Sequence, residues 1–344
     1  MTIKEIAEKA HTSRGTVDRV IHNRGKVNPE LKETILKIIK EYGYEPNVAG
    51  RSLSLSSKEK QYKIGAVISS LNHSFFGQLI DGLKAGAERF LNSGISLILK
   101  EVNMFNKEEA LRALDELKKD NVNILILSLI VDEELTKKIE EFGVKVIALN
   151  IDLNLKNKIC FIGCDYLNSG RLAANVANLI LKDNSNICMI VGSFDHEGQQ
   201  KRIQGFKEVM NKTFTIVDEL ENLENDELSY KEVKEEINNK KIDLFYFLGA
   251  GLNGGLKAIR ENNDKNLRVI TVDNNKMVES CLKDGLVTCS IVQHPYTQGV
   301  KSIEYAYMHL LKAKELPKVK IIENSVFFKE SIIPHLYNKE EKNG

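Results

Sequence analysis

The sequence predicts a small all-helical head followed by a larger α/β region built on parallel sheets. Two observations support this fold class. The first 46 residues carry three short amphipathic stretches, each with its own helix-start signal. From residue 62 onward, short apolar runs alternate with amphipathic stretches. This alternation is typical of strand and helix units that form parallel sheets covered on both faces.

Start signals place the three helices of the head. A capping box pairs Thr2 with Glu5 at the start of the first helix. Ser13 is the N-cap of the second helix, and Asn28-Pro29 supplies an N-cap and a first-turn proline for the third. The predicted core residues of the head are Ile3, Ile6, Ala7, Ala10, Val17, Val20, Ile21, Leu31, Ile35, Ile38 and Tyr42.

The second predicted helix carries a polar outer face. Arg14, Gly15, Asp18, Arg19 and His22 fall on this face at helical spacing. A mini-bundle with a solvated charged face is one interpretation. However, two small helices joined by a short turn, with arginines at the start of the second, are typical of a helix-turn-helix motif. The sequence therefore favours a helix that reads DNA in the major groove.

Residues 2–53 resemble the head of the lactose/galactose-repressor (LacI) family. The resemblance rests on the pattern IxEIAxxAxxSxxTVxRV, on Tyr44-Glu45-Pro46-Asn47 and on Leu53. Three positions depart from the family pattern. His11 stands where a turn glycine is usual, Asp18 where a serine is usual, and Gly50 where alanine is usual.

The resemblance implies the roles of the DNA-binding residues. It implies base reading in the major groove by Arg14, Gly15 and Arg19, and a hinge helix over residues 47–54 whose Leu53 enters the minor groove. Phosphate contacts are expected from Thr2, Ser13, Thr16 and Asn23. The complete set of expected DNA contacts is Thr2, Ser13, Arg14, Gly15, Thr16, Arg19, Asn23, Asn47 and Leu53.

Charge and cysteine usage agree with a DNA-binding protein of the cytoplasm. Ten Lys and Arg stand against seven Asp and Glu in the first 57 residues. Because this excess is small, two heads are expected to act together. Five cysteines without zinc-type spacing predict reduced thiols and no metal site. No apolar run approaches the roughly 20 residues of a membrane span, and no apolar signal segment begins the chain.

Eleven apolar runs predict the strands of the α/β region. They are residues 64–69, 96–100, 124–128, 144–149, 159–163, 187–191, 214–217, 244–248, 269–272, 289–292 and 326–333. Helical patterns such as Phe75 to Leu91 and Leu167 to Leu181 lie between them. So many strands suggest two sheets, with a cleft at their carboxyl ends.

The α/β region resembles the two-lobed periplasmic sugar-binding-protein fold that follows the head in the same family. The expected domains are a DNA-binding head (1–46), a hinge and linker (47–61) and a ligand-binding domain (62–337). In that fold the chain crosses between the lobes near Gly163, Gln293 and Asn324. The expected lobes are therefore 62–163 with 293–324, and 164–292 with 325–337.

The resemblance also implies which residues hold a ligand. Phe75 and Phe76 are expected to offer apolar faces to a sugar ring, while Arg202 and Asp273 bracket its hydroxyls above Gln293. Paired donors and acceptors suit such a ligand because an unpaired polar group in a closed cleft costs about 1 to 3 kcal/mol. The complete set of expected ligand contacts is Asn72, Phe75, Phe76, Asp152, Asp165, Arg202, Asp273 and Gln293. Core packing and a surface salt bridge are the alternative interpretations of the aromatic pair and of Arg202 with Asp273.

One motif points to another class of protein. Residues 249–254 read Gly-Ala-Gly-Leu-Asn-Gly after a predicted strand, with Asp273 nineteen residues further on, as in a dinucleotide-binding fingerprint. Yet this turn falls late in the series of strand and helix units, whereas a Rossmann domain carries it in the first. Bare amides at the helix start could instead hold a phosphate or carboxylate. The motif also replaces the Asn-Asp that is frequent here in the family.

Two functions from different classes follow. The first is a ligand-responsive repressor that binds a palindromic operator as a homodimer, with a sugar, polyol or sugar phosphate in the cleft. The second is a dinucleotide-binding enzyme or redox sensor that uses the Gly249–Gly254 turn. No nucleophile elbow, Ser-His-Asp arrangement or metal-ligand spacing is present in the sequence, so we expect no catalysis and no cofactor.

Overall fold

A computed structural model describes residues 3–21, 27–41, 61–69, 74–103, 106–249, 251–262, 264–312 and 314–332. The chain divides into two compact units, Met1–Lys60 and Gln61–Gly344. The first unit is helical in its described parts, and the second is an α/β structure with two sheets. No helix in these described ranges is long and apolar enough to cross a lipid bilayer.

The head consists of α1 (Ile3–Lys9), α2 (Arg14–Ile21) and α3 (Pro29–Glu41). Its buried core consists of Ile6, Ala7, Ala10, Val17, Val20 and Ile35. His11 lies between α1 and α2 with a φ of 49°. Histidine tolerates this left-handed backbone better than most residues, so the turn forms without the glycine usual there.

The first sheet contains six parallel strands in the order β11-β5-β4-β3-β1-β2. The strands are β1 (Tyr62–Ser69), β2 (Ile95–Val102), β3 (Ile124–Ser128), β4 (Lys145–Leu149), β5 (Lys158–Cys164) and β11 (Val319–Ile322). The helices that follow or cover them are α4 (Ser74–Phe90), α5 (Lys107–Lys119), α6 (Glu133–Glu141) and α12 (Pro295–Lys312). Separate apolar clusters lie on the two faces of the sheet, and we call the whole assembly the first lobe.

The second sheet contains six strands in the order β12-β10-β9-β8-β6-β7. The strands are β6 (Asn186–Val191), β7 (Thr215–Glu221), β8 (Leu244–Phe247), β9 (Arg268–Val272), β10 (Cys289–Val292) and β12 (Ser325–Phe327). All pairs are parallel except β10 with β12. The helices are α7 (Tyr166–Ile180), α8 (Glu197–Val209), α9 (Asp226–Asn239), α10 (Leu252–Asn262) and α11 (Lys276–Lys283), and this assembly is the second lobe.

The described chain passes between the two lobes beside Cys164, Gln293 and Asn324. After β10 it returns to the first lobe, because Ile303 and Ala306 of α12 belong to the first-lobe core. The residues that follow β4, β9 and β10 therefore meet between the lobes. This gap is the location of the cleft.

One predicted strand is wrong in its bounds, and one strand of the structure was not predicted. The predicted strand over residues 326–333 is only Ser325–Phe327, and a short 3₁₀ turn (Lys329–Ser331) follows it. The strand Val319–Ile322 was not predicted. It is a four-residue edge strand, and Val319 is 50% exposed while Ile322 is 8% exposed. Such a short, half-exposed run gives no apolar pattern that sequence reasoning could detect.

Glycines allow several helix pairs to pack backbone against backbone. A Cβ at Gly82 of α4 would lie 2.1 Å from the carbonyl oxygen of Tyr296 at the start of α12. A Cβ at Gly170 of α7 would lie 2.0 Å from the carbonyl oxygen of Arg202 in α8. No side chain fits at either position. The α7–α8 contact matters for the cleft because it fixes the backbone that carries Arg202.

Candidate DNA-reading helix and ligand cleft

The outer face of α2 presents the predicted base-reading residues to solvent. Arg14, Gly15 and Arg19 are exposed, and Thr16 is half-buried. Ser13 caps the helix, since its Oγ accepts a hydrogen bond from the Thr16 amide at 3.1 Å. The Ser13 and Thr16 hydroxyls also lie 3.0 Å apart. The described part of the face therefore presents two guanidinium groups and two hydroxyls, which are groups that bind base edges and phosphates.

Gly15 is not required by packing against the described residues of the head. A Cβ at this position would meet only Ser13 Oγ at 3.7 Å and Arg19 Nη2 at 4.0 Å, which are ordinary contacts. Glycine costs about 1 kcal/mol relative to alanine in a helix interior, and this is an upper bound for Gly15 in the first turn of α2. The missing side chain thus lowers helix stability without any benefit inside the head. It does, however, leave room for a partner to approach the helix backbone closely.

Some predicted site residues lie outside the described residues. These are Thr2, Asn23, Asn47 and Leu53 of the DNA-binding set and Asn72 of the ligand-binding set. Their roles stay predictions.

Five of the predicted ligand residues line one cleft between the lobes. They are Phe75, Phe76, Arg202, Asp273 and Gln293, and the remaining lining residues are Asn150, Tyr166, His196, Gln199, Glu224 and Gly249. The cleft has a volume of about 60 Å³. Small-molecule sites usually enclose about 300 to 1,000 Å³, so the lobes must separate to admit a ring-sized ligand.

Arg202 supplies the cleft with a buried cation. The residue is 4% exposed, and its Nη1 donates to the carbonyl oxygen of Leu248 at 2.9 Å. Its guanidinium carbon lies 4.9 Å from the centre of the Tyr166 ring. Among the described residues, Nε and Nη2 have no hydrogen-bond partner. Two buried donors therefore face a position for an acceptor that none of the described residues supplies.

Asp273 and Gln293 form a hydrogen-bonded pair at the cleft floor. Gln293 Nε2 donates to both carboxylate oxygens of Asp273, at 2.8 and 2.9 Å. The Cys164 thiol donates to Gln293 Oε1 at 3.0 Å. Asp273 directly follows β9 and has a left-handed φ of 69°. The chain of bonds thus runs from the end of β5 in the first lobe to the second lobe.

Phe75 and Phe76 pack in the first-lobe core and also line the cleft. Both belong to the first-lobe core and are 5% and 7% exposed. Their ring centres lie 5.3 Å apart in an edge-to-face arrangement. Because both also line the cleft, the core interpretation and the ligand interpretation of these aromatic residues are compatible.

Sequence reasoning missed Asn150, Tyr166 and His196. The Tyr166 hydroxyl lies 2.9 Å from the Asn150 backbone oxygen and 2.8 Å from its Oδ1, and joins the two lobes. Asn150 has a φ of 64° at the end of β4, so it occupies the position that Asp273 occupies at the end of β9. His196 caps α8 by accepting from the Gly198 amide. Burial, with Arg202 nearby, lowers the pKa of His196 to about 4, so the ring is neutral at pH 7.

Asp152 and Asp165 do not lie in the cleft with Arg202. Asp152 is exposed and forms an ion pair with Lys158 at 2.6 Å. Asp165 is the N-cap of α7 and accepts from the Asn168 amide at 2.9 Å. Both line a separate cavity of about 400 Å³, also between the lobes. The prediction that they contact the same ligand is not supported by this geometry.

The glycine turn before α10 has a packing role. Gly251 has a φ of 78°, and a Cβ there would lie 2.1 Å from Asn222 Nδ2. A Cβ at Gly254 would lie 1.7 Å from the carbonyl oxygen of Asp226. The Asp226 carboxylate also accepts from the Gly254 amide at 3.2 Å. A phosphate at this helix start would meet a carboxylate charge, so the geometry disfavours a dinucleotide here.

Two family models match the chain. Residues 64–315 match the periplasmic binding protein domain, and residues 2–47 match the lacI family of bacterial regulatory proteins. The chain therefore belongs to the periplasmic binding protein domain family, and its head is that of the lacI family.

Named regulators are among the relatives of the chain. It is 30% identical over 213 residues to the HTH-type transcriptional regulator AscG of Escherichia coli, covering 61% of this chain and 60% of AscG. It is 25% identical to catabolite control protein A of Priestia megaterium, over 62% of each chain. It thus aligns with about three fifths of the length of these two relatives. The similarity to catabolite control protein A of Staphylococcus aureus is 24% over 97% of both chains.

Solved structures show the same two-lobed fold. A glucose-galactose binding protein, GanP from Geobacillus stearothermophilus, has a TM-score of 0.71 at 20% identity, covering 80% of this chain and 99% of GanP. A Bacillus halodurans transporter solute binding protein with bound myo-inositol has a TM-score of 0.71 at 18% identity, covering 83% of this chain and 99% of that protein. At such identities, the likeness establishes the fold alone.

Proposed function

We propose that the protein is a ligand-responsive transcriptional repressor. The head binds a palindromic DNA operator through α2, and the two-lobed domain binds a small polyhydroxylated molecule. The observation that carries the ligand part is Arg202, a buried cation with two donors that have no partner among the described residues. Leaving buried donors unpaired costs about 1 to 3 kcal/mol, which a hydroxyl-bearing ligand would offset.

An uncharged sugar or polyol suits this cleft better than a sugar phosphate. The charged groups among its described lining residues are one guanidinium and two carboxylates, Arg202, Asp273 and Glu224. His196 adds no positive charge at pH 7, because burial keeps its pKa at about 4. A phosphate dianion would therefore enter a site without a cationic excess, at a low local dielectric constant.

Two copies of the chain are needed for the proposed operator binding. The head carries a small basic excess, so one head would bind DNA weakly. A homodimer would place two α2 helices in successive major grooves of a palindromic site. Such a regulator would act in the cytoplasm, where its DNA lies.

The alternative of a dinucleotide-binding enzyme is less well supported. Two of the glycines that suggested it have packing roles, because a Cβ at Gly251 would collide with Asn222 and one at Gly254 with the Asp226 carbonyl oxygen at the start of α9. Asp226 also accepts from the Gly254 amide. The relatives with similar sequences are named as regulators. We therefore propose a protein without catalytic activity.

DNA binding is tested by selecting operator sites from random-sequence DNA with the full chain and measuring affinity by fluorescence anisotropy. Replacing Arg19 with alanine should weaken binding by about 1 to 3 kcal/mol and relax the preference at one base pair of each half-site. Arg171→Ala, an exposed arginine of α7, serves as the control. Unchanged sequence preference in Arg19→Ala would argue against base reading by α2.

Ligand binding is tested with D-ribose, D-glucose, D-galactose, D-allose and myo-inositol, each beside a phosphorylated counterpart. At least one uncharged compound should raise the melting temperature and change operator affinity, and its phosphate should not. Arg202→Met should abolish the response, because the side chain keeps its length but loses its donors. The free Arg202→Met protein should stay about as stable as wild type, since a buried, incompletely paired charge contributes little to stability. A wild-type response in this variant would place the ligand elsewhere.

A further inference from the structure

The second cavity between the lobes is built differently from the cleft around Arg202. It has a volume of about 400 Å³, which is within the usual range of about 300 to 1,000 Å³ for small-molecule sites. Arg202, Asp273 and Gln293 are not among its lining residues. Tyr166 and His196 line both spaces and form the wall between them.

The first-lobe wall of this cavity is apolar. Leu129 and Phe161 are buried at 2% and 7% exposure and form its base. Ile130 and Ile321 lie at its edge and are 51% and 38% exposed. Large aliphatic side chains this exposed lose contact with water if an apolar group covers them, which is favourable.

The second-lobe wall is acidic. Asp165, Asp195 and Glu197 line it. Asp152 adds a carboxylate from the first lobe, which is paired with Lys158 at 2.6 Å. Among the described lining residues, Lys201 is the one lysine or arginine. Its Nζ forms an ion pair with Glu197 Oε1 at 2.6 Å. Walls with an excess of one charge in a cavity concentrate the field there. The field in this cavity therefore attracts cations and repels anions.

The helix starts beside the cavity do not reverse this preference. Asp165 begins α7 and accepts from the Asn168 amide, and His196 begins α8 and accepts from the Gly198 amide. These amides are already satisfied by the protein. An anion would have to displace these caps in a cavity whose lining carboxylates outnumber its lining lysine.

From this arrangement we propose that the cavity is a second ligand site, which takes a small organic cation with an apolar body, such as an alkyl or aryl amine. The apolar body covers Ile130 and Ile321, and the ammonium group lies near Asp195 and Glu197. Because the two walls belong to different lobes, an occupant that contacts both stabilises one arrangement of the lobes. The proposal rests on neither the ligand proposed for the Arg202 cleft nor the repressor function, although Tyr166 and His196 border both spaces.

Three probes with one apolar body and different head groups test the proposal: 4-phenylbutylamine, 4-phenylbutanol and 4-phenylbutyrate. Binding to the full chain at pH 7 is measured by titration calorimetry and by ligand-observed NMR. The amine should bind, the alcohol should bind at least several-fold more weakly, and the carboxylate should not bind detectably. If the carboxylate binds as well as the amine, or if the amine does not bind, the proposal is wrong.

Variants locate the binding. The double variant Asp195→Asn/Glu197→Gln should weaken amine binding at least five-fold and leave alcohol binding unchanged. Ile321→Ser should weaken both. The matched control Glu227→Gln/Glu235→Gln changes net charge equally at two exposed positions of α9 outside the cavity, and should have no effect. Equal loss in both double variants would mean nonspecific attraction of a cation, and no loss in either would place the amine elsewhere. Either result overturns the proposal.

Discussion

Gln293 donates from one nitrogen to both carboxylate oxygens of Asp273, at 2.8 and 2.9 Å. The orientation of the Gln293 amide follows from its neighbours. An ionised carboxylate only accepts, so the NH₂ group must face Asp273, and the oxygen then accepts from the Cys164 thiol. Asp273 is thereby held in one position at the crossing between the lobes.

Gln293→Glu should convert this bond into a repulsion that depends on pH. Two adjacent carboxyl groups cannot both ionise readily, so the pKa of one rises above its value of about 4.3 in the unfolded chain. A carboxyl group whose pKa is higher in the folded state than in the unfolded state binds its proton more tightly when the chain is folded. Its contribution to stability is therefore present at low pH and is lost as pH rises. Relative to wild type, the melting temperature should therefore fall increasingly from pH 5 to pH 8. Gln204→Glu, facing Glu208 on the surface, should show a much smaller dependence. Parallel pH curves for the two variants would contradict the buried pair.

His196 should make the wild-type protein less stable in weak acid. Its pKa is about 4 in the folded protein, mainly because of burial, against about 6.5 when unfolded. The unfolded chain therefore binds a proton first, and stability falls between pH 6.5 and pH 4 by up to about 1.4 kcal/mol per pH unit. His196→Asn keeps a cap for the Gly198 amide and removes the titration. Urea unfolding across this range should give a shallower slope for the variant, and identical slopes would exclude a buried neutral histidine.

Gly15→Ala should separate stability from DNA binding. The head has room for the methyl group, so the helix should gain up to about 1 kcal/mol. Operator affinity should nevertheless fall, because the added Cβ occupies the space into which the groove would fit. Thermal unfolding of the variant and its anisotropy titration with the selected operator measure the two effects. Higher stability together with undiminished affinity would mean that DNA does not approach this position.

Gly254→Ala should lower stability by about 1 to 3 kcal/mol or more, because its Cβ would collide with the carbonyl oxygen of Asp226. Gly77→Ala is the matched control, since nothing lies within 4 Å of its Cβ position on α4. That control should be neutral or more stable by up to about 1 kcal/mol. Millimolar NADH should not change the melting temperature of the wild-type protein. A tolerated Gly254→Ala combined with stabilisation by NADH would restore the dinucleotide interpretation.

Most strands of the two sheets could be predicted, because buried parallel strands read as uninterrupted apolar runs. Strand β3 matches its predicted bounds, Ile124–Ser128, since all five residues are buried. The edge strand β11 could not be predicted, because alternate residues face solvent and the run has only four members. The antiparallel strand β12 was predicted too long, since Phe328 is exposed and the chain turns after it.

The cleft could be predicted in part. Arg202, Asp273 and Gln293 follow from the resemblance, and the structure brings them together. Asn150 follows β4 as Asp273 follows β9, and asparagine tolerates left-handed backbone, but the sequence pointed to Asp152 two residues later. Tyr166 gave no local signal, because its contacts depend on how the two lobes meet.

The absence of a side chain at Gly170 has a consequence for how ligand preference could change. Helix α7 packs directly against the backbone carbonyl of Arg202, which fixes the backbone from which this side chain extends. The guanidinium group is then held by the Leu248 carbonyl oxygen and the Tyr166 ring. Substitutions at the loop residues around Arg202, such as Asn150 and Glu224, can change the cleft without moving the Arg202 backbone. A change in ligand preference would thus arise from substitutions around Arg202, while Arg202 itself stays in place. Each new ligand would still need an oxygen atom that accepts a hydrogen bond from Arg202.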